Sequence, residues 1–159
     1  MTYTITVNTE EMQTLNLEPA ETVLSPLLAN PALQAAEPIR FEIDYPREAS
    51  DPRELSEVPE VRLWFIRLDS RYPWLPLYLD WEAGELARYT AMLVPHQFSP
   101  IDGIRYNPEA LEIFVMRKIF VLHRWLETHD VAGRNRLKQM THLLGYDIED
   151  DLFALLSKA

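Results

Sequence analysis

The order of apolar patterns along the chain is the feature that most constrains its fold. Apolar and polar residues alternate over positions 3–7 and 39–45, which predicts two half-buried strands. Residues 61–68 are almost continuously apolar in their middle, and they predict a third strand that is buried on both faces. From residue 70 onward the pattern is helical, with one break over residues 95–100. Strands followed by helices predict an α+β fold, in which a small mixed or antiparallel sheet of about three strands in the N-terminal half packs with a mainly helical C-terminal half.

Start and stop signals define the main helices. Residues 107–109, Asn-Pro-Glu, combine a cap, a proline at the first helical position and an early acidic residue, and they predict a long helix to about residue 127. Asp80 is expected to cap a helix over residues 81–93. A further helix is expected over residues 134–144, because a glycine follows directly at position 145.

Length and hydropathy predict a single soluble domain spanning residues 1–159. The most apolar segment, residues 110–126, is interrupted by Arg117, Lys118 and Arg124, so no direct membrane insertion is expected. The first residues resemble neither a signal peptide nor a transit peptide, which favours a cytoplasmic protein.

Charge and cysteine content narrow the classes of function. The net charge is −10, and residues 1–60 carry twelve acidic residues against three basic ones. Such a surface disfavours nucleic acid and anionic membranes as partners, since both reward Lys and Arg. The acidic third is interpreted either as a solvated surface that aids solubility or as a docking face for a basic partner. The absence of cysteine excludes thiolate catalysis, disulfides and iron–sulfur ligation by cysteine.

No motif for catalysis or cofactor binding stands out. The chain has no glycine-rich phosphate loop, no nucleophile elbow and no pair of histidines at metal-ligand spacing, so neither a cofactor nor a metal is expected. These absences favour a protein that binds another protein. The alternative function is a small enzyme with an acid–base site around Asp80, Glu82 and His96.

An aromatic segment punctuated by proline is the best candidate for a partner-binding site, since aromatic residues and arginine are enriched in interface hot spots. The competing interpretation is that these rings seal the joint between sheet and helices. The candidate residues are Asp69, Arg71, Tyr72, Trp74, Asp80, Trp81, Glu82, His96, Gln97 and Phe98.

Seven segments together resemble the cyanobacterial Chlororespiratory Reduction Six family. They are DYPRE (44–48), DPRELSEVPE (51–60), RLWFIRLD (62–69), RYPWLP (71–76), LDWEAGELARY (79–89), MLVPHQFS (92–99) and YNPEALEIFVM (106–116).

The resemblance implies an assembly factor, or chaperone, of the photosynthetic NAD(P)H dehydrogenase-like complex that binds its ferredoxin-like iron–sulfur I subunit. It brings no catalytic residues, and it implies a cytoplasmic protein in the cyanobacterial case. Because the chain has no cysteine, a protective chaperone is easier to reconcile with the sequence than an iron–sulfur carrier. A permanent structural subunit of a larger complex is the remaining alternative.

Overall fold

A computed structural model describes residues 2–33 and 36–158, which form seven α-helices and four strands in an α+β arrangement. The strands are β1 (Tyr3–Asn8), β2 (Ile39–Asp44), β3 (His96–Ser99) and β4 (Gly103–Tyr106). The helices are α1 (Thr9–Gln13), α2 (Glu18–Ala29), α3 (Pro59–Arg71), α4 (Glu85–Leu93), α5 (Pro108–Thr128), α6 (Arg134–Leu143) and α7 (Asp150–Ser157). Two short 3-10 helices, Leu55–Glu57 and Leu75–Tyr78, precede α3 and α4 respectively.

The first sheet is a parallel pair of β1 and β2, which α1 and α2 connect. Its register runs from Tyr3 opposite Ile39 to Asn8 opposite Asp44. The alternation that predicted the two strands is confirmed, because core-facing side chains alternate with exposed ones along both strands, apart from Tyr3 at the start of β1, which is 43% exposed. The buried residues of this pair are Ile5, Val7, Ile39 and Phe41.

The prediction of a third strand over residues 61–68 is wrong, because these residues lie in α3. Pro59 occupies the first helical position, where its fixed backbone angle favours a helix start. The buried side chains recur at helical spacing, whereas Leu63 and Ile66 between them are 53% and 45% exposed. Because apolar residues lie on both faces of this helix, its sequence has the same apolar pattern as a strand that is buried on both faces. The buried ones are Val61, Trp64, Phe65 and Leu68.

The break predicted at residues 95–100 is the start of an antiparallel hairpin of β3 and β4. His96 lies opposite Tyr106, and Ser99 lies opposite Gly103. Gly103 has a φ of 73°, a conformation that glycine adopts without steric cost. The chain thus has two sheets of two strands each among its described residues, in place of one sheet of about three.

The helices predicted from their end signals are largely confirmed. Asn107 caps α5, since its side-chain oxygen accepts the N–H of Ala110 at 3.0 Å. The helix over 134–144 is observed as α6. The helix over 81–93 begins only at residue 85, because Asp80 accepts the N–H of Ala83 at 3.2 Å and caps a turn instead. None of the described helices is both long enough and apolar enough to cross a membrane.

Two aromatic clusters fill the core. In the first, Phe41 of β2 meets Phe65 of α3 edge to face, with ring centroids 5.0 Å apart, and Tyr89 of α4 packs against both rings. In the second, Trp74 stacks on Trp125 of α5 with centroids 5.6 Å apart. The first cluster joins β2 to α3 and α4, and the second joins the start of the 3-10 segment to α5.

A buried polar network connects three helices. The Lys118 ammonium of α5 donates to the Asp69 carboxylate of α3 and, at 3.0 Å, to the carbonyl of Pro73. The Tyr89 hydroxyl of α4 donates to the same Asp69 oxygen at 2.9 Å. Burial lowers the pKa of the Lys118 ammonium, and the charge of Asp69 opposes that shift. The ion pair of Lys118 and Asp69 is tolerated at this position because each charge has a fixed partner.

Replacing Lys118 with methionine is expected to lower the free energy of unfolding by about 3 kcal/mol, since it leaves the Asp69 carboxylate without its buried counter-charge. Urea denaturation measures this change. The matched control is Lys138→Met, which removes a more exposed ion pair with Asp150 and should cost no more than about 1 kcal/mol. Equal losses in the two variants would contradict the structural role of the buried pair.

Candidate partner-binding surface

Two of the predicted anchor residues lie in the interior. Tyr72 and Trp74 are only 4% and 3% exposed. Trp74 stacks on Trp125, and Tyr72 meets Trp74 edge to face with ring centroids 5.8 Å apart. For these two residues the geometry favours the sealing role, because neither ring is presented to a partner.

Two other predicted residues at the end of α3 make intramolecular ion pairs. Asp69 belongs to the network with Lys118 and Tyr89. Arg71 is exposed, pairs with Glu21 of α2, and places its guanidinium 5.6 Å from the centroid of the Tyr72 ring. Both charged residues therefore connect α3 to neighbouring helices.

The two members of the predicted acid–base group that make side-chain hydrogen bonds, Asp80 and His96, make them to other residues. The Asp80 carboxylate accepts a hydrogen bond from the Arg40 guanidinium at 2.7 Å. This hydrogen bond lowers the pKa of the Asp80 carboxyl. His96 lies 3.0 Å from the Ser56 hydroxyl, and its other ring nitrogen lies 2.9 Å from the Val94 carbonyl. Glu82 is exposed. Among the described residues, no hydrogen bond joins either carboxylate to the imidazole.

A serine, a histidine and a glutamate do meet where α5 and α7 end. The His123 Nε2 atom lies 3.0 Å from both the Ser157 hydroxyl and the Glu127 carboxylate. A nucleophilic triad needs the acid on the opposite ring nitrogen from the serine. This cluster therefore fits a structural contact between the two helices.

Trp81 is one of the predicted aromatic anchors that the structure places at the surface. It is partly buried, and its indole N–H donates to the Pro76 carbonyl at 2.9 Å. The guanidinium of Arg136, on α6, lies 3.3 Å from the centroid of the ring. The ring is thus held in place by two contacts within the protein.

Trp81 forms one wall of an open groove of about 570 Å³. Leu143, which is 59% exposed, contributes apolar surface at the end of α6. His142 and Asp147 form a polar rim, with 2.6 Å between the imidazole Nδ1 and the carboxylate. An apolar floor with a polar rim suits an apolar side chain of a partner segment. The lining residues are Trp81, Lys138, Gln139, His142, Leu143, Asp147 and Ile148.

The hairpin carries the remaining predicted residues. Gln97 is exposed, and Phe98 is 42% exposed with its ring edge-on to His96 at 5.2 Å between centroids. Ile101, in the turn, is 92% exposed. Ile101 and Leu143 were not among the site residues predicted from the sequence. The available signal for Ile101 was its position between Pro100 and Asp102, where a turn is expected.

Many acidic side chains of the N-terminal third remain exposed, while others serve the fold. Glu11 closes a capping box with Asn8, and Asp51 pairs with Arg53. The exposed set leaves a negative surface around β2 and the starts of α1 and α2, as the acidic composition suggests. The exposed acidic residues of this third are Glu10, Glu18, Glu42, Asp44, Glu48, Glu54 and Glu57.

Comparison with known proteins gives one family. The family model described as Chlororespiratory reduction 6 matches residues 7–155, which is nearly the whole chain. No solved structure matches the chain.

Alkaline pH is expected to loosen the attachment of the hairpin. The Tyr106 hydroxyl donates to the Ala87 carbonyl of α4 at 3.1 Å, and burial raises the pKa of Tyr106 to about 12. The pKa of an unfolded tyrosine is about 10, so the folded state binds more protons than the unfolded state between this pH and the folded pKa. The stabilisation is therefore complete below pH of about 10 and is lost as the pH rises through about 12.

The variant Tyr106→Phe should show a shallower loss of unfolding free energy over this pH range in urea denaturation. Some loss remains, because burial also raises the pKa of Tyr78 to about 12. An unchanged slope would show that Tyr106 does not contribute.

Proposed function

Because this chain belongs to the Chlororespiratory reduction 6 family, we propose that it is an assembly factor of the photosynthetic NAD(P)H dehydrogenase-like complex that binds the ferredoxin-like iron–sulfur I subunit. The observation that carries this proposal is the family match over residues 7–155, which includes every described helix except the end of α7. Family membership is consistent with an assembly-factor role. The I subunit as the specific partner, and the cyanobacterial cytoplasm as the place, are the finer parts of the proposal.

The proposed task is to cover protein surface during assembly. The chain contains no cysteine, so it offers no thiolate to an iron–sulfur cluster. An assembly factor of this kind shields apolar surface on the I subunit until the neighbouring subunit replaces it. Such a role requires a binding surface that is apolar at its centre and releases its partner reversibly.

The groove beside Trp81 is the proposed contact surface. The indole is already held by Arg136 and by the Pro76 carbonyl, so little side-chain freedom is lost when a partner binds. The exposed Leu143 and the ring of Trp81 supply apolar area to the lining of the groove, and the rim of His142 and Asp147 supplies hydrogen-bonding groups. This arrangement matches the usual anatomy of an interface hot spot.

The acidic third is proposed to guide the encounter. Exposed charges act over about 8 Å at physiological ionic strength, which is far enough to orient an approaching basic surface. Charge complementarity of this kind raises the association rate more than it strengthens the final complex. In this proposal the acidic third governs how often the two proteins meet, while the groove governs how long they remain together.

Leu143→Asp is expected to raise the dissociation constant for purified I subunit by at least about tenfold, because it places a charge on the apolar floor of the groove. Biolayer interferometry or calorimetry measures this constant. The matched control is Leu155→Asp on α7, where a leucine of similar exposure lies outside the groove. The control should bind within about twofold of wild type.

Two results would contradict parts of this proposal. If wild-type protein shows no affinity for the I subunit, the partner is wrong. If the two variants bind alike, the partner stands and the groove is not the contact surface.

A further inference from the structure

The outward face of α5 carries an apolar stripe with a charge at each end. Ile113 is 69% exposed and Phe120 is 47% exposed, although both lie in the middle of a 21-residue helix. Met116 lies between them and is partly buried. Glu109 and Arg124 are exposed toward the two ends of the helix.

Helical spacing puts these five residues on one face. Their separations are three or four positions, and an α-helix makes one turn in about 3.6 residues. The opposite face already supplies the core with fully or nearly fully buried side chains, so the outward stripe is not needed for folding of the chain itself. The core-facing residues are Val115, Ile119, Leu122 and Leu126.

The order of residues in the stripe is self-complementary. A second helix running in the opposite direction, related by a two-fold axis between positions 116 and 117, places Ile113 against Phe120 of the second copy. The same operation places Glu109 against Arg124 of the second copy. Each pair occurs twice, because a two-fold interface uses the same patch on both subunits. Arg117 lies at the edge of the stripe, where its long side chain keeps its charge in water.

We propose that the chain forms a reversible two-fold dimer through antiparallel contact of its α5 helices. The stripe from Glu109 to Arg124 extends over about 22 Å, at about 1.5 Å per residue. One helix face of this length provides less than the roughly 800 Å² per partner that stable interfaces bury. The dimer is therefore weak and dissociates on dilution. None of the residues that line the Trp81 groove belongs to α5, so dimer formation and use of the groove are separate properties.

Sedimentation velocity over a concentration series tests the dimer. Wild-type protein should shift from monomer toward dimer as concentration rises. Glu109→Arg and Arg124→Glu each bring like charges together at both pairs, so each should raise the dissociation constant of the dimer by about tenfold or more. Circular dichroism verifies that both variants remain folded.

Mixing the two variants gives the decisive comparison. In a mixed dimer every arginine at these positions faces a glutamate, so an equimolar mixture should form dimers at concentrations where each variant alone is monomeric. A general loss of folding cannot produce this restoration, because the mixture contains only the two variants themselves. The proposal is overturned if wild-type protein stays monomeric at every concentration, or if the mixture is no more dimeric than its components.

Discussion

The arrangement of three helices depends on the hydrogen bonds that the Asp69 carboxylate accepts. Asp69 lies near the end of α3 and accepts hydrogen bonds from Lys118 of α5 and Tyr89 of α4. A carboxylate and an ammonium are costly to bury, so the core keeps them only in a geometry that satisfies both. This requirement fixes the relative positions of three helices. Trp81 lies in the segment that precedes α4, and the hairpin follows α4 along the chain.

The sequence predicted those elements whose signals are local. The strands β1 and β2 follow from alternation over a few residues, and α5 follows from the cap, proline and acid at positions 107–109. The helix α3 was mistaken for a strand because Leu63 and Ile66 add exposed apolar residues to a face that would ordinarily be polar. The hairpin was missed because its strands are only four residues long, too short for a periodic pattern.

The candidate site was predicted in part for a comparable reason. Composition marked Trp74 and Trp81 alike as possible anchors, but it could not say which ring would be covered. The residues that decide the matter come from distant parts of the chain. Trp125 of α5 covers Trp74, whereas Arg136 of α6 supports Trp81 from one side and leaves it as a wall of the groove. Whether a single ring is buried thus depends on tertiary contacts, and the residues next to it in the sequence do not predict it.

The central proposal is that this protein joins the I subunit during assembly and leaves before the complex is complete. Affinity purification of the tagged protein from cyanobacterial cells, followed by mass spectrometry, tests it most directly. The I subunit should be recovered with partly assembled intermediates, and the tagged protein should be absent from the mature complex. Stoichiometric presence in the mature complex would instead identify a permanent subunit, and recovery without any I subunit would contradict the proposed partner.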